Sequence, residues 1–239
     1  MIESKKYLEF SQKLGLGKFS SPELFEQVFI HRSYLNEHRS LKTDHNERLE
    51  FLGDAVLELV STEFLYKNYD NPEGELTNWR SALVKGEMLA KVAKDLGLEA
   101  YLLLSKGEQK GKGKARSLIL ANTFEALVGA IYLDQGYEMA TKFISDHILI
   151  HLEEILAHNL HIDSKSDLQE KSQSALSVTP RYELTSSTGP DHDRVFTVEV
   201  FLGEQAVAEG QGKSKQKAEQ SAAANALSDW PNILIKLNK

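Results

Sequence analysis

The sequence predicts an all-α domain over residues 1–157, followed by a small α+β domain of order α-β-β-β-α over residues 164–230. Two observations carry this. Up to about residue 157 apolar residues recur at three- and four-residue spacing, the period of helices that bury one face. Beyond about residue 158 the pattern changes to short alternating segments separated by Gly- and Pro-containing turns and flanked by helix-forming runs. A chain of 239 residues is long enough for two such units.

Taken in order, Ser21-Pro22-Glu23-Leu24 supplies a helix start: a capping residue, a proline at the first helical position and an early acid. Residues 46–69 read as one long amphipathic helix, closed by the turn Asn71-Pro72-Glu73-Gly74. Residues 75–96 read as a second helix that stops before Gly97. The Gly- and Lys-rich stretch 107–114 reads as a loop, and 118–133 and 137–156 as two further helices. Residues 158–163 are short and polar and form the expected linker. In the second domain 164–175 suits a helix, and Arg181–Ser186, Val195–Phe201 and Gln205–Gln211 suit strands. Phe196, Val198 and Val200 alternate with Thr197 and Glu199, as in a half-buried strand. The turns are Thr188-Gly189-Pro190-Asp191 and Leu202-Gly203-Glu204. The Ala-rich segment 214–228 is a strong helix former, and 231–239 is left as a C-terminal tail.

Composition removes several functions. There is no cysteine, so disulfides, thiolate metal sites and thiol nucleophiles are excluded. The eight histidines show no metal-binding spacing. The start, MIESKKYLEF, lacks the apolar core of a secretion signal, and no run approaches 18 consecutive apolar residues. A membrane partner is not expected, and the expected compartment is the cytoplasm. The net charge of −7 argues against a nucleic-acid partner, and neither part is basic overall: 19 Lys and Arg against 24 Asp and Glu in 1–160, 9 against 11 in 161–239. Positive charge is local instead. Lys106, Lys110, Lys112, Lys114 and Arg116 gather in 106–116 against the single acid Glu108, and Lys213, Lys215 and Lys217 form a second cluster.

The segment 45–60, HNERLEFLGDAVLELV, carries the chemistry. At 100° per residue, Leu49, Leu52, Val56, Leu59 and Val60 form an apolar face, while Glu47, Glu50 and Asp54 share a stripe on the other side. Three carboxylates on one stripe repel each other unless a cation sits between them. A solvated acidic face is the plain alternative. Against it, Gly53 sits mid-helix at a cost of about 1 kcal/mol, which points to close approach by another element, and the aromatic Phe51 lies on the acidic side. In the apolar run 119–134, Asn122 and Glu125 also share a face, where burying Glu125 without a partner is costly. Two such pairs on adjacent helices suit a hard cation such as Mg²⁺, with positions left open for a phosphate. Such ions support phosphodiester hydrolysis.

HNERLEFLGDAVL at 45–57 resembles the signature of ribonuclease III. IHRSY at 30–34, EGELTNWRSALV at 73–84 and ANTFEALVGAIYLDQG at 121–136 continue the resemblance in order, and 164–228 resembles a double-stranded-RNA-binding domain. The resemblance implies an all-α nuclease domain acting as a homodimer on double-stranded RNA, with Mg²⁺ as cofactor and Mn²⁺ as a substitute. It implies 5′-phosphate and 3′-hydroxyl ends, and roles in rRNA precursor and mRNA processing. Asp54 and Glu125 become the catalytic residues, and Glu50, Asp54, Asn122 and Glu125 the metal set. Glu47 and Glu73 support the cleft, and Phe51 packs into the partner subunit. One position departs: the family usually has Asp where this chain has Asn122. An amide oxygen still ligates Mg²⁺ but adds no negative charge. The departure leaves open a double-stranded-RNA-binding regulator with a weakened nuclease site.

A double-stranded-RNA-binding domain reads shape across two minor grooves and the phosphates between them. The resemblance assigns Ser166, Gln169 and Glu170 to 2′-hydroxyl contacts, and the loop containing Pro190 and His192 to the next minor groove. It assigns Lys213, Lys215 and Lys217 to phosphates, with Gln216 standing where a basic residue is common. The 106–116 segment, just ahead of the Asn122–Glu125 helix, reads as a further phosphate contact. His31, Ser33 and Tyr34 read as structural.

Overall fold

The computed structural model describes residues 4–159, 163–190 and 193–237. The chain divides into two compact units, Met1–His161 and Ile162–Lys239.

The first unit is helical: α1 (Ser4–Lys13), α2 (Pro22–Gln27), α3 (Arg32–Glu37), α4 (Glu47–Asn68), α5 (Glu73–Val84), α6 (Gly86–Asp95), α7 (Lys106–Gln109), α8 (Lys114–His147) and α9 (Leu152–Ala157), with 3-10 turns at Leu98–Tyr101 and Leu149–His151. Helices α4 and α8 make the most extensive contact and form its centre. Leu49, Val56, Val60 and Leu65 of α4 are buried in one core with Phe124, Leu127, Val128 and Ile131 of α8. An aromatic cluster closes the N-terminal side, with Phe10 stacked on Tyr101 at 3.8 Å between ring centres and Tyr7 on Phe29 at 5.5 Å. Asp134 of α8 holds the entry to α2, accepting hydrogen bonds from the amides of Ser20 and Ser21 at 2.9 and 3.0 Å. The stretch Lys114–Ala157 contains an apolar window long enough to cross a membrane, which a search for uninterrupted apolar runs overlooks; most of that window is buried in the core.

Four details differ from the sequence reading. The helix expected over 75–96 is two helices. Lys85 is extended (φ −66°, ψ 144°), and this turn lets α5 pack on α4 and α9 while α6 packs on α8. One straight helix cannot serve both neighbours. The helix expected over 137–156 is interrupted at Ile148 (φ −116°, ψ −55°) and resumes as α9, whereas the expected break before 137 is present as a kink at Gly136 (φ 83°). The 107–114 loop includes the helical turn α7. Leu59, at the edge of the expected apolar face, is 57% exposed.

The second unit contains α10 (Ser164–Leu176), β1 (Arg181–Thr188), β2 (Val195–Leu202), β3 (Gln205–Gly212), α11 (Lys215–Ser228) and α12 (Trp230–Leu237). The strands form an antiparallel sheet in the order β1-β2-β3. Val200 and Leu202 of β2 are buried against Leu168 of α10 and Ala222, Ala223 and Ala226 of α11. Helix α11 rests directly on β3: a Cβ at Gly210 would lie 2.0 Å from the amide nitrogen of Ala222, and one at Gly212 2.5 Å from that of Ala218. The segment expected to be a tail is largely α12. Trp230 and Ile233, three apart on one helix face, are 6% and 1% exposed and complete this core.

Candidate active site

The start of α4 is fixed before any acid appears on it. Asn46 is buried; its side-chain amide donates to the Val28 carbonyl at 3.0 Å and its backbone amide to that of Ile30 at 2.9 Å. Gln27 donates to the His45 carbonyl at 2.9 Å. Further along, Gly53 explains its own cost in helix propensity. A Cβ there would lie 1.7 Å from the carbonyl oxygen of Glu125, and a Cβ at Gly129 would lie 2.3 Å from that of Leu49. The two helices cross backbone to backbone at this pair of glycines. Glu50 and Asp54 on α4 flank Gly53, and Asn122 and Glu125 on α8 precede Gly129, so all four border the crossing.

The electrostatics follow from that crowding. Burial, with Asp54 and Glu50 alongside, pushes the Glu125 carboxyl up to about 7. Glu50 is also held above the usual carboxylate range by burial, although the neighbouring Asn122 amide favours its charged form, and Glu47 and Asp54 add repulsion. Among the described residues no Lys or Arg pairs with Glu50, Asp54 or Glu125. Among the same residues no three His, Asp or Glu side chains are gathered closely enough to hold a metal ion as they stand. The site is open and carries uncompensated negative charge, with oxygen donors only. Oxygen donors of this kind suit a hard divalent cation.

The other expected residues lie around this group. Glu47 is on the rim, 3.5 Å from Arg32 Nη1 and 3.8 Å from His45 Nδ1. Glu73 lines a separate cleft of about 670 Å³ at the far end of α4, with Leu65, Tyr66, Tyr69, Leu76 and Arg80. Asp54 and Tyr66 are twelve residues apart on α4, roughly 18 Å, so within one chain Glu73 does not join the four donors. Phe51 is 82% exposed. His31 is structural: its Nδ1 shares a 2.8 Å hydrogen bond with the Ser33 hydroxyl. Gly129 was not legible as a site residue, because a glycine in an apolar run reads as ordinary packing.

Residues 21–152 match a family described as Ribonuclease-III-like, and residues 164–229 match the double-stranded RNA binding motif. The chain belongs to the ribonuclease III family. The protein named Ribonuclease 3 from Enterococcus faecalis is 45% identical over 231 residues, covering 96% of this chain and 100% of that one. The Ribonuclease 3 of Streptococcus pneumoniae is 45% identical over 211 residues, covering 88% and 90%. Among solved structures, a nuclease domain of ribonuclease III from Campylobacter jejuni aligns at 36% identity with a TM-score of 0.51, covering 62% of this chain and 98% of that one. As a ribonuclease III the chain is a double-strand-specific endoribonuclease, and the family is metal-dependent.

The ribonuclease III second unit presents the expected RNA-facing residues at its surface. Ser166, Gln169 and Glu170 are exposed at helical spacing on α10, where Ser166 is engaged with its own cap: its amide and hydroxyl donate to the Asp163 carboxylate at 3.3 and 3.0 Å. Pro190 is exposed; His192 lies outside the described residues. Lys215 and Lys217 are exposed on the first turn of α11, capped by Ser214. Lys213 precedes that helix and pairs with Asp193 at 2.7 Å, a partner that charge counting along the sequence does not reveal.

Proposed function

We propose that this chain hydrolyses double-stranded RNA with Mg²⁺ held by Glu50, Asp54, Asn122 and Glu125, with Asp54 and Glu125 the catalytic carboxylates, leaving 5′-phosphate and 3′-hydroxyl ends. The observation that carries the reading is the group of oxygen donors at the glycine crossing, where burial and then repulsion from Asp54 and Glu50 raise Glu125 to about 7. Bound there, Mg²⁺ supplies electrostatic stabilisation to a phosphodiester undergoing displacement. The residues do the rest. Asn122 orients Glu50 through its amide. Arg32 holds Glu47 on the rim. The Gly53–Gly129 contact keeps the α4 donors beside those of α8. Processing of rRNA precursors and messages in the cytoplasm, with Mn²⁺ able to substitute, completes the proposal.

The acting form is a homodimer. Support comes from Phe51, Leu59 and Tyr66, exposed at 82%, 57% and 80% along α4, and from the Campylobacter jejuni nuclease domain, whose structure is described by a region involved in dimer formation. A two-fold pairing makes the same patch meet itself. Phe51→Asp is expected to shift sedimentation from dimer to monomer with the fold retained; an unchanged dimer would exclude Phe51 as a contact. For the chemistry, a labelled duplex of several helical turns is incubated with Mg²⁺ and with EDTA. Cleavage in Mg²⁺ alone, lost in Glu125→Gln with duplex binding retained, supports the site; full cleavage by Glu125→Gln would remove it. Binding without cleavage even in excess Mn²⁺ would favour the regulator and implicate Asn122.

A further inference from the structure

The first turn of α10 has no apolar side chain to hold it. Ser164, Lys165, Ser166 and Asp167 are all polar, and the first residue of the helix in the hydrophobic core is Leu168. The far end is tied down separately, where the Ser172 hydroxyl donates to the Val178 carbonyl at 2.9 Å. Yet the first turn carries Ser166, which is assigned to the 2′-hydroxyls of duplex RNA, and a contact of that kind needs a fixed position.

The support comes from α11. That helix lies directly on β3 at Gly210 and Gly212, and just past its exposed Lys215 and Lys217 stand Glu219 and Gln220. Gln220 uses both ends of its amide: Oε1 accepts from the Lys165 backbone amide at 3.3 Å, and Nε2 donates to Asp163 Oδ1 at 2.7 Å. Glu219, with its side chain 15% exposed, accepts from Lys165 Nζ at 2.6 Å. The same ammonium lies 4.8 Å from the centre of the Tyr182 ring on β1. Asp163 passes the constraint on, accepting from the Ser166 amide at 3.3 Å and from its hydroxyl at 3.0 Å. Burial opposes charge on Asp163, but hydrogen bonds from Gln220 and Ser166 hold its carboxyl below the usual carboxylate range. Ser166, Gln169 and Gln216 line one polar hollow of about 280 Å³ bordered by both helices. A hydroxyl that gives its proton to a carboxylate has only lone pairs left for a further partner. Held in this way, Ser166 can accept from a donor, and the 2′-hydroxyl of RNA is a donor that deoxyribose lacks.

We infer that Glu219 and Gln220 are positioning residues for duplex RNA: through Lys165 and Asp163 they fix the first turn of α10 against α11 and leave Ser166 facing the duplex as a hydrogen-bond acceptor. Neither residue has to touch the RNA. Because α11 is seated on the strand, it serves as the reference, and the turn of α10 is the part that moves when the clamp is broken.

The inference rests on the assignment of Ser166 to duplex RNA. Gel shifts of the full chain in EDTA, with a duplex RNA and with an RNA–DNA hybrid of the same sequence, test the two separately. Ser166→Ala is expected to weaken duplex binding and to lower the preference for RNA over the hybrid. Gln220→Met keeps the length and charge of the side chain while removing both hydrogen bonds. It is expected to weaken duplex binding roughly tenfold, to lower the same preference and to speed hydrogen exchange at the Lys165 and Ser166 amides. The slope of log Kd against log salt should stay unchanged, because the lysines of α11 keep their places. Combined with Ser166→Ala, it should cost little more. Glu219→Gln removes a negative charge from a surface that meets a polyanion, so electrostatics alone would tighten binding, whereas loss of the clamp weakens it. Gln220→Met with the parent's affinity and preference, or Glu219→Gln with tighter binding, would overturn the positioning role. A Gln220→Met loss that adds in full to that of Ser166→Ala would make Gln220 a direct contact instead. Ser166→Ala with the parent's affinity would remove the assignment of Ser166, and the inference with it.

Discussion

Replacing Gly53 by Ala tests the crossing on which the site depends, because two physical effects of opposite sign compete there. Alanine is the better helix former by about 1 kcal/mol, so α4 taken alone gains. The added Cβ, however, would lie 1.7 Å from the Glu125 carbonyl oxygen, 2.6 Å from its carbon and 2.8 Å from the Gly129 nitrogen. All three are backbone atoms, so no side chain can rotate away. Reaching an ordinary contact near 3.4 Å requires α4 and α8 to part locally by about 1.7 Å. That movement forfeits a large share of the dispersion contacts between the two most extensively packed helices of the unit. Overpacking of a core costs about 1–3 kcal/mol or more, and here it is coupled to loss of packing along the seam. The net effect expected is a loss of about 3 kcal/mol, or roughly 6–12 °C in the melting temperature of a unit of this size. Thermal and urea unfolding measure it, and single-turnover cleavage in saturating Mg²⁺ follows the site. Donors displaced by more than 1 Å are expected to cost about 100-fold in rate. A Gly53→Ala protein as stable as the parent, or more so, refutes the close crossing, since propensity alone gives that sign. Lost stability with undiminished cleavage refutes the claim that the crossing sets the site.

Three further outcomes follow from the same structure. In EDTA the folded chain holds a proton on Glu125 up to about pH 7, whereas the unfolded chain releases it near the usual carboxylate range. The stabilisation is therefore full at acid pH and lost as pH rises through about 7; after discounting for partial exposure it amounts to roughly 1–2 kcal/mol. Glu125→Gln should thus be more stable than the parent by that amount at pH 8 and less distinguishable near pH 5, and a gap independent of pH would count against the buried, crowded carboxyl. Asn122→Asp exchanges the amide that favours the charged form of Glu50 for a further negative charge. Mg²⁺ titrations should then show half-maximal cleavage at a lower concentration, and superimposable curves would sink the idea that Asn122 weakens metal binding. Trp230→Ala removes a side chain 6% exposed in the second core. It should cost about 3–5 kcal/mol and abolish duplex binding by that unit while the transition of the nuclease unit stays in place; circular dichroism and gel shifts report both.

What the sequence made legible depended on whether a residue's signal was local. Gly53 was readable because a mid-helix glycine has a propensity cost that needs a reason, and the Glu47, Glu50 and Asp54 stripe because helix geometry alone generates it. Gly129 was not, since its importance lies in the opposing backbone. Periodicity shows that a residue is buried but not by which neighbour, so 75–96 read as one helix although α5 and α6 serve different partners on either side of Lys85. Charge counting placed Arg116 with the exposed lysines, whereas its guanidinium is turned inward on three carbonyls. It likewise took Lys213 as free, whereas Asp193, twenty residues earlier, compensates it. Trp230, Ile233, Leu234 and Leu237 carried a helical pattern that eight residues at the end of a chain make easy to overlook.

The seating of α11 on β3 has a metrical consequence. Because Gly210 and Gly212 bring the helix down onto the strand with no side chain between, no rotamer change or core substitution lengthens that separation. The first turn of α11 and strand β3 therefore stand at a distance fixed by two backbones, like the jaws of a gauge set once. A gauge of that kind accepts a helix by the spacing of its grooves. A surface of fixed spacing meets A-form RNA as a shape, whatever bases it contains, and the stiffness of the seat is expected to serve that fit alongside the groups that α10 and α11 present.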